Sequence, residues 1–161
     1  MSFLSFFQWL EATPWSVAMR ESEWLFPFVE TIHVLALGVM LFPTALMDLR
    51  LLGLTMRRES VSSVRDQLMP WIWRGFATMI VSGILVLSSH PVKYYNSPFA
   101  RAKDALLVLA GLNAMIFELT AGGKVAAWDL GQPPFRAKLA GGISLLIWIG
   151  VVAMGRAIAY G

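Results

Sequence analysis

The sequence contains no cysteine and few charged residues, and each shortage excludes a class of protein. Without cysteine there are no disulfides, iron–sulfur clusters or thiolate zinc sites, so histidine, carboxylate and methionine remain as metal ligands. Charged residues make up 14% of the chain, whereas a soluble domain has about 25%. Because hydrophobic residues reach 57%, the composition favours a membrane protein.

Known catalytic and nucleotide-binding patterns are also missing. The sequence has no Ser/His/Asp hydrolase signature, no phosphate-binding P-loop and no dinucleotide fingerprint. The 13 Lys and Arg residues are spread over segment ends and loops, so the net charge of +3 indicates contact with anionic lipid headgroups and not with nucleic acid. The sequence therefore assigns no reaction, and whether the chain is an enzyme stays open.

Four long apolar segments occupy most of the 161 residues. A helix needs roughly 20 apolar residues to cross a bilayer, which predicts spans at about residues 24–46, 71–89, 104–121 and 139–160. The short loops between them predict antiparallel neighbours. We therefore expect an all-α fold, in which residues 1–161 form a single membrane domain built as an antiparallel bundle of four transmembrane helices.

The first residues predict a further short helix over about residues 2–11. Phe3, Phe6, Phe7 and Leu10 recur at helical spacing. Because no positively charged region precedes this apolar stretch, we expect it to lie in the membrane interface and not to act as a signal peptide.

The basic residues near the spans predict the orientation of the chain. Seven Lys and Arg residues lie in the first and third loops, and five lie on the opposite side. Cytoplasmic loops are enriched in Lys and Arg. Both termini are therefore expected on the periplasmic side of a bacterial cytoplasmic (inner) membrane.

Ionisable residues inside the spans are the strongest functional signal in the chain. Such a side chain costs several kcal/mol in hydrocarbon and normally faces a bundle interior. On the first span Glu30 and Asp48 share one azimuth, and His33 falls within roughly 60° of them. We therefore predict an intramembrane polar network that comprises Glu30, His33, Asp48, Arg50, Arg74, Asn113 and Glu118.

Mutual pairing is one interpretation of this network, because a buried charge needs a partner. The expected ion pairs are Glu118 with Arg74 or Arg50, and Glu30 with Arg156. In this interpretation His33 is a neutral imidazole that bonds to Glu30 or Asn113.

Metal or haem ligation by His33 is the alternative interpretation. Glu30 and His33 form a Glu-x-x-His pair, but a di-iron bundle needs two such motifs, so a haem iron fits better. The other candidate cofactor contacts are Met79 or Met115 as a sixth ligand and Arg156 or Lys103 beside the propionates.

Several short motifs are spread along the chain. They are Phe6–Phe7–Gln8–Trp9, Glu30-x-x-His33, Asp48–Leu49–Arg50–Leu51–Leu52–Gly53, the Tyr94–Tyr95–Asn96–Ser97–Pro98 turn before Lys103, Trp128–Asp129 and Gly155–Arg156. Together they resemble a bacterial membrane family of unknown function, the DUF6644-type proteins, over nearly the whole chain. The resemblance implies a membrane protein and brings no established activity.

Two positions support a fainter similarity. His33 in the first span and Lys103 before the third are similar to positions in copper-resistance-D and HemJ-like four-helix membrane proteins. In HemJ-like proteins the first-helix histidine is associated with b-type haem, so this resemblance implies haem b at His33. Where those proteins usually carry a further histidine around the third helix, this chain has Asn113 and Glu118.

Three functions therefore stay open. The first is a haem b-binding or redox subunit of an electron-transfer system. The second is a small carrier, or a proton or metal pathway, that uses Glu30, His33, Asp48 and Glu118. The third is an accessory subunit of a larger membrane complex. The expected partners are the lipid bilayer and either other membrane subunits or a second copy of the chain.

Overall fold

The computed structural model describes residues 3–160, which form helices and no β-strand. The helices are α1 (Phe3–Glu11), α2 (Pro14–Glu21), α3 (Leu25–Leu51), α4 (Val61–Ser89), α5 (Pro91–Asn96), α6 (Pro98–Thr120), a 3-10 helix (Gly122–Ala127) and α7 (Phe135–Ile158). The predicted all-α class is confirmed. Met1, Ser2 and Gly161, which belong to the predicted interfacial helix or to the ends of the predicted domain, lie outside the described residues.

Three helices, α3, α4 and α7, are long and apolar enough to cross a membrane. By length and composition this is a multi-pass membrane protein. Helix α6 is 23 residues long, but Lys103, Asp104 and Glu118 interrupt its apolar sequence. The described helices therefore supply three candidate spans, where the sequence pattern predicted four.

The long helices pack in the order α4, α3, α7 and α6. Helix α3 contacts both α4 and α7, and α6 packs along α7. Over residues 3–160, α4 and α6 have no extended contact with each other. Helices α4 and α6 are therefore the two outer members of this series.

Two glycines bring the neighbouring helices close to α3. A Cβ atom on Gly75 of α4 would lie 2.7 Å from the backbone nitrogen of Met40. A Cβ on Gly141 of α7 would lie 2.8 Å from the backbone oxygen of Asp48. Small residues at these positions let the helix backbones approach, which is how membrane helices gain packing energy.

The motif from Asp48 to Gly53 ends α3. The N–H of Leu54 donates to the Leu49 oxygen at 2.9 Å, and the N–H of Gly53 donates to the Arg50 oxygen at 3.0 Å. These are the two bonds of a Schellman C-cap, which requires a left-handed residue. Gly53 takes that conformation with φ 73°, so the glycine of the motif has a structural role.

Capping residues start α4 and α6 earlier than the predicted spans. Helix α4 begins at Val61, where the Ser60 hydroxyl accepts the N–H of Ser63 at 3.1 Å. Helix α6 begins at Pro98, where the Ser97 hydroxyl accepts the N–H of Ala100 at 3.3 Å. Both helices therefore extend beyond their apolar segments.

The second short helix, α2, was not predicted. It forms hydrogen bonds with the last residues of α4. Trp15 Nε1 donates to Ser88 Oγ at 3.0 Å, the Ser16 hydroxyl donates to the Ser88 oxygen, and Arg20 Nη1 donates to the Ser89 oxygen at 3.1 Å. The bonds from Ser16 and Arg20 satisfy carbonyls that the end of a helix otherwise leaves without partners.

Candidate functional site

His33 lies on α3 and faces Ser82 of α4. Its Nδ1 atom is 2.9 Å from Ser82 Oγ, and the Ser82 side chain is buried. The Ser82 hydroxyl donates its hydrogen to the Thr78 oxygen at 2.6 Å. Since a hydroxyl has one hydrogen, Ser82 Oγ accepts from His33, and the imidazole hydrogen is on Nδ1. Within residues 3–160 no hydrogen bond involves His33 Nε2, so its lone pair can accept a proton or bind a ligand.

Lys103 at the start of α6 acts electrostatically on His33. Asp104, the next residue, acts on Lys103 with the opposite sign and accepts a hydrogen bond of 2.6 Å from Tyr94 Oη. Burial, together with this carboxylate, raises the pKa of Tyr94 above its ordinary value. His33, Ser82, Lys103, Asp104 and Tyr94 thus form one polar group, which we call the His33 cluster.

The other predicted cofactor contacts lie in different parts of the structure. Met79 is half-buried and lies one helical turn before Ser82 on α4. Met115 is 52% exposed. Arg156 is exposed and donates to Tyr160 Oη at 2.7 Å. Of these residues, Lys103 acts electrostatically on His33, and Met79 is near its partner Ser82.

The expected hydrogen-bond partners of His33 are wrong. Asn113 Nδ2 donates instead to the Ala140 oxygen of α7 at 3.0 Å. Glu30 is exposed, and no ion pair involves it within the described chain, so it pairs neither with His33 nor with Arg156. Asn113 contacts α7 because α6 packs along α7.

The expected pairing of Glu118 with Arg74 or Arg50 is also wrong. Glu118 pairs with Arg65, with 2.7 Å between Oε1 and Nη2. Because α4 begins at Val61, Arg65 is a helical residue, whereas Arg74 is exposed over the ring of Trp71. The pair is partly exposed, so it contributes about 0–1 kcal/mol. It does place the end of α6 beside the start of α4.

Asp48 and Arg50 are buried at the opposite end of α3 from His33. The Ser144 side chain of α7 lies within hydrogen-bonding reach of the Asp48 carboxyl, while Asp48 Oδ2 has no partner in the described structure. Arg50 is 1% exposed and donates through Nε and Nη2 to the Glu59 oxygen at 3.2 and 2.8 Å. Two neighbouring charges of one motif therefore contact different parts of the fold.

Asp129 ties the segment before α7 to the start of α4. Its Oδ1 accepts the N–H of Ser62, and its Oδ2 accepts the Ser62 hydroxyl, both at 2.7 Å. The backbone N–H of Ser62 is the main cause that lowers the pKa of Asp129 below its ordinary value. Trp128–Asp129 is visible as a motif in the sequence, but the contact of Asp129 with Ser62 depends on the start of α4 at Val61.

We expect Asp129→Asn to lower thermal stability at neutral pH and to weaken the response to acid. A lowered folded-state pKa means that the charged carboxylate stabilises the fold fully above its ordinary pKa of 3.8. This stabilisation is lost as the pH falls below that value through the folded pKa. Melting temperatures of detergent-solubilised protein down to about pH 3 measure the effect. Asp66→Asn, an exposed carboxylate on α4, is the control, and identical acid profiles for both variants would refute this role.

Metal coordination has little support from the side chains around His33. Within residues 3–160 no three His, Asp or Glu side chains come together as a metal site. A haem iron, which one or two axial ligands can hold, does not need such a group.

The chain belongs to the DUF6644 family, a family of unknown function whose model matches residues 6–161. The resemblance expected from its motifs is thus confirmed over nearly the whole sequence. No curated protein and no solved structure matches the chain.

Proposed function

We propose that the protein accepts protons at His33 within the membrane. The observation that supports this function is the chain of hydrogen bonds from His33 Nδ1 to Ser82 and from Ser82 to the Thr78 oxygen. It holds the imidazole as a neutral base, with the Nε2 lone pair free. A fixed tautomer in an apolar surrounding is what a proton acceptor requires.

The charges of Lys103 and Asp104 influence the protonation of His33. A protonated His33 and a charged Lys103 repel each other, so the gain of a proton at one favours its loss at the other. Asp104 and the Tyr94 hydroxyl continue the polar groups toward the end of the bundle. We infer that protons reach His33 from this side.

The proposed proton path from Tyr94 and Asp104 to His33 covers one half of the membrane. Asp48 follows His33 by 15 residues on the same helix, which is about 22 Å at a rise of 1.5 Å per residue. No hydrogen bond within the described residues joins the two groups. His33 is therefore proposed as a protonation site entered from one side, and not as part of a continuous relay with Asp48, Glu30 and Glu118.

We also propose that α6 crosses the membrane and completes a four-helix membrane domain. It follows the end of α4 through α5, and its own end meets the start of α4 through the Glu118–Arg65 pair. Helix α6 thus extends over the same depth as α4. In a bacterial inner membrane the loop after α3 would be cytoplasmic, with both termini periplasmic, and a second copy or another subunit would pack against the surface between α4 and α6.

Haem b ligation at His33 is the second candidate function. A metal-bound imidazole usually holds its other nitrogen in a hydrogen bond, as Ser82 does here. If haem were bound at His33, Met79 would be the candidate for a second protein ligand and Lys103 would be the candidate to pair with a propionate. Bound haem would supply one-electron chemistry, while this chain would orient the imidazole and surround the ring with apolar side chains.

The tautomer of His33 tests the proposed proton acceptor directly. The chain has two histidines, so His90→Gln protein labelled with ¹⁵N-histidine gives the signals of His33 alone. We expect the hydrogen on Nδ1 in this protein and its redistribution toward Nε2 when Ser82→Ala is added. If the hydrogen of His33 is on Nε2 in the His90→Gln protein with Ser82 intact, the proposal is contradicted.

An absorption spectrum separates the two candidates. If haem is ligated, protein purified with haem supplied shows a Soret band that His33→Ala abolishes and His90→Ala retains. His90 is the matched control, because it is exposed and bonds to Ser89 at the end of α4. A band that survives His33→Ala would exclude His33 as the ligand, and a haem-free protein with the Nδ1 tautomer would favour the proton acceptor.

A further inference from the structure

A polar cavity lies at the end of the molecule where the loop after α3 meets the segment before α7. Its volume is about 250 Å³. Its walls are Arg50, Gly53, Arg57, Leu130, Gly131, Gln132 and Pro133. Two of these residues are arginines and none is acidic. This cavity lies at the opposite end of α3 from the His33 cluster and is independent of the proposed function.

Arg50 is the fixed part of the cavity. It is 1% exposed, and the Glu59 oxygen accepts from its Nε and Nη2 atoms. Its remaining nitrogen, Nη1, makes no hydrogen bond within the described residues. A guanidinium has five N–H donors in a rigid plane. Arg50 therefore presents a buried and oriented cation with unused donors to the cavity.

Arg57 and Gln132 add donors from the two sides. Arg57 donates through Nε to the Gly53 oxygen, and its two terminal nitrogens make no hydrogen bond to the part of the chain that the structure describes. The Gln132 side-chain oxygen accepts from Lys138 Nζ at 3.4 Å, so its amide group is turned to donate elsewhere. The carboxylate of Asp129, which acts electrostatically on Arg50, has both oxygens bonded to Ser62.

We propose that this cavity binds a phosphate group. Guanidinium pairs recognise phosphate through parallel, charge-assisted hydrogen bonds, and the cavity supplies two guanidiniums and one amide with no competing carboxylate on its walls. The location suits a lipid headgroup phosphate, because the loop after α3 leaves the membrane here. Inorganic phosphate has the same chemistry, so the two sources need separate measurements.

The test compares Arg57→Gln with Arg58→Gln in the full-length protein in detergent. Arg58 is adjacent and exposed and does not line the cavity. Arg58→Gln therefore removes the same charge as Arg57→Gln but removes no contact with the cavity. Titration calorimetry with inorganic phosphate measures the first source. Native mass spectrometry with phosphatidylglycerol, and with diacylglycerol as the lipid that lacks phosphate, measures the second.

We expect Arg57→Gln to weaken binding by about tenfold or more, because one charge-assisted hydrogen bond is worth at least that factor. Arg58→Gln should bind as the wild type does. Saturable binding of inorganic phosphate identifies a soluble ligand, and selective retention of phosphatidylglycerol alone identifies a lipid. Equal binding by the three proteins, equal retention of diacylglycerol, or no binding of either phosphate source would overturn the proposal.

Discussion

Gly75→Ala is expected to lower the free energy of unfolding by about 1–3 kcal/mol, the range for overpacking a tight interior. The added Cβ would meet three backbone or Cβ atoms of Met40 at 2.7 to 2.9 Å. Backbone atoms cannot turn away as a flexible side-chain end can, so α3 and α4 must separate. In a helix with free space the same change stabilises by about 1 kcal/mol, so the close contact reverses the sign.

Gly38→Ala is the matched control for that effect. Gly38 lies in the middle of α3, and a Cβ placed there has nothing within 4 Å. We expect Gly38→Ala to keep or raise the melting temperature, and Gly75→Ala to lower it. Equal melting temperatures for the two variants would show that α3 and α4 do not pack at Gly75.

The long apolar helices were predictable from the sequence. Some of their first residues were also predictable, because N-cap residues mark them. Apolar length alone identified the regions of α3, α4 and α7. The starts of α4 and α6 depend on Ser60 and Ser97, which are readable N-cap residues that a hydropathy pattern passes over. The same holds for α2, since Thr13 before Pro14 is a typical helix start. Membrane length and helix length are different quantities, and hydropathy reports the first.

Helix order was not predictable, and the wrong ion pairs follow from that. The depth expected from the sequence puts Glu118 at the same level as several basic residues. Depth alone does not show which helix packs against α6. Once α6 packs on α7 and meets α4 only at its end, Arg65 is the reachable partner. Arg74 points away toward Trp71. Contacts between helices are long-range facts that one-dimensional patterns do not contain.

The position of His33 was predictable, but its partner was not. Glu30 and Asn113 were the partners expected from the sequence, whereas His33 bonds to the hydroxyl of Ser82. Serine hydroxyls are common in apolar helices, where they usually bond to their own backbone, as Ser82 also does through Thr78. Only the approach of α3 to α4 selects this serine from the others.

Arg50→Met is expected to destabilise the protein by about 1.5–3 kcal/mol, because the Glu59 carbonyl loses two charge-assisted hydrogen bonds. The opposing effect is the cost of burying a guanidinium that is 1% exposed. Apolar replacement of a complete buried ion pair can be neutral or stabilising. Here the change removes only the cation, and its backbone acceptor remains.

The measurement is a thermal melt of Arg50→Met beside Arg58→Met, which removes the same charge from an exposed position. A clear loss for the first variant alone shows that Arg50 fixes the loop between α3 and α4. Because Asp129 is near enough to act electrostatically on Arg50, the loss should be smaller when Asp129→Asn is already present. Fully additive losses would mean that Arg50 stabilises the loop only through the Glu59 carbonyl.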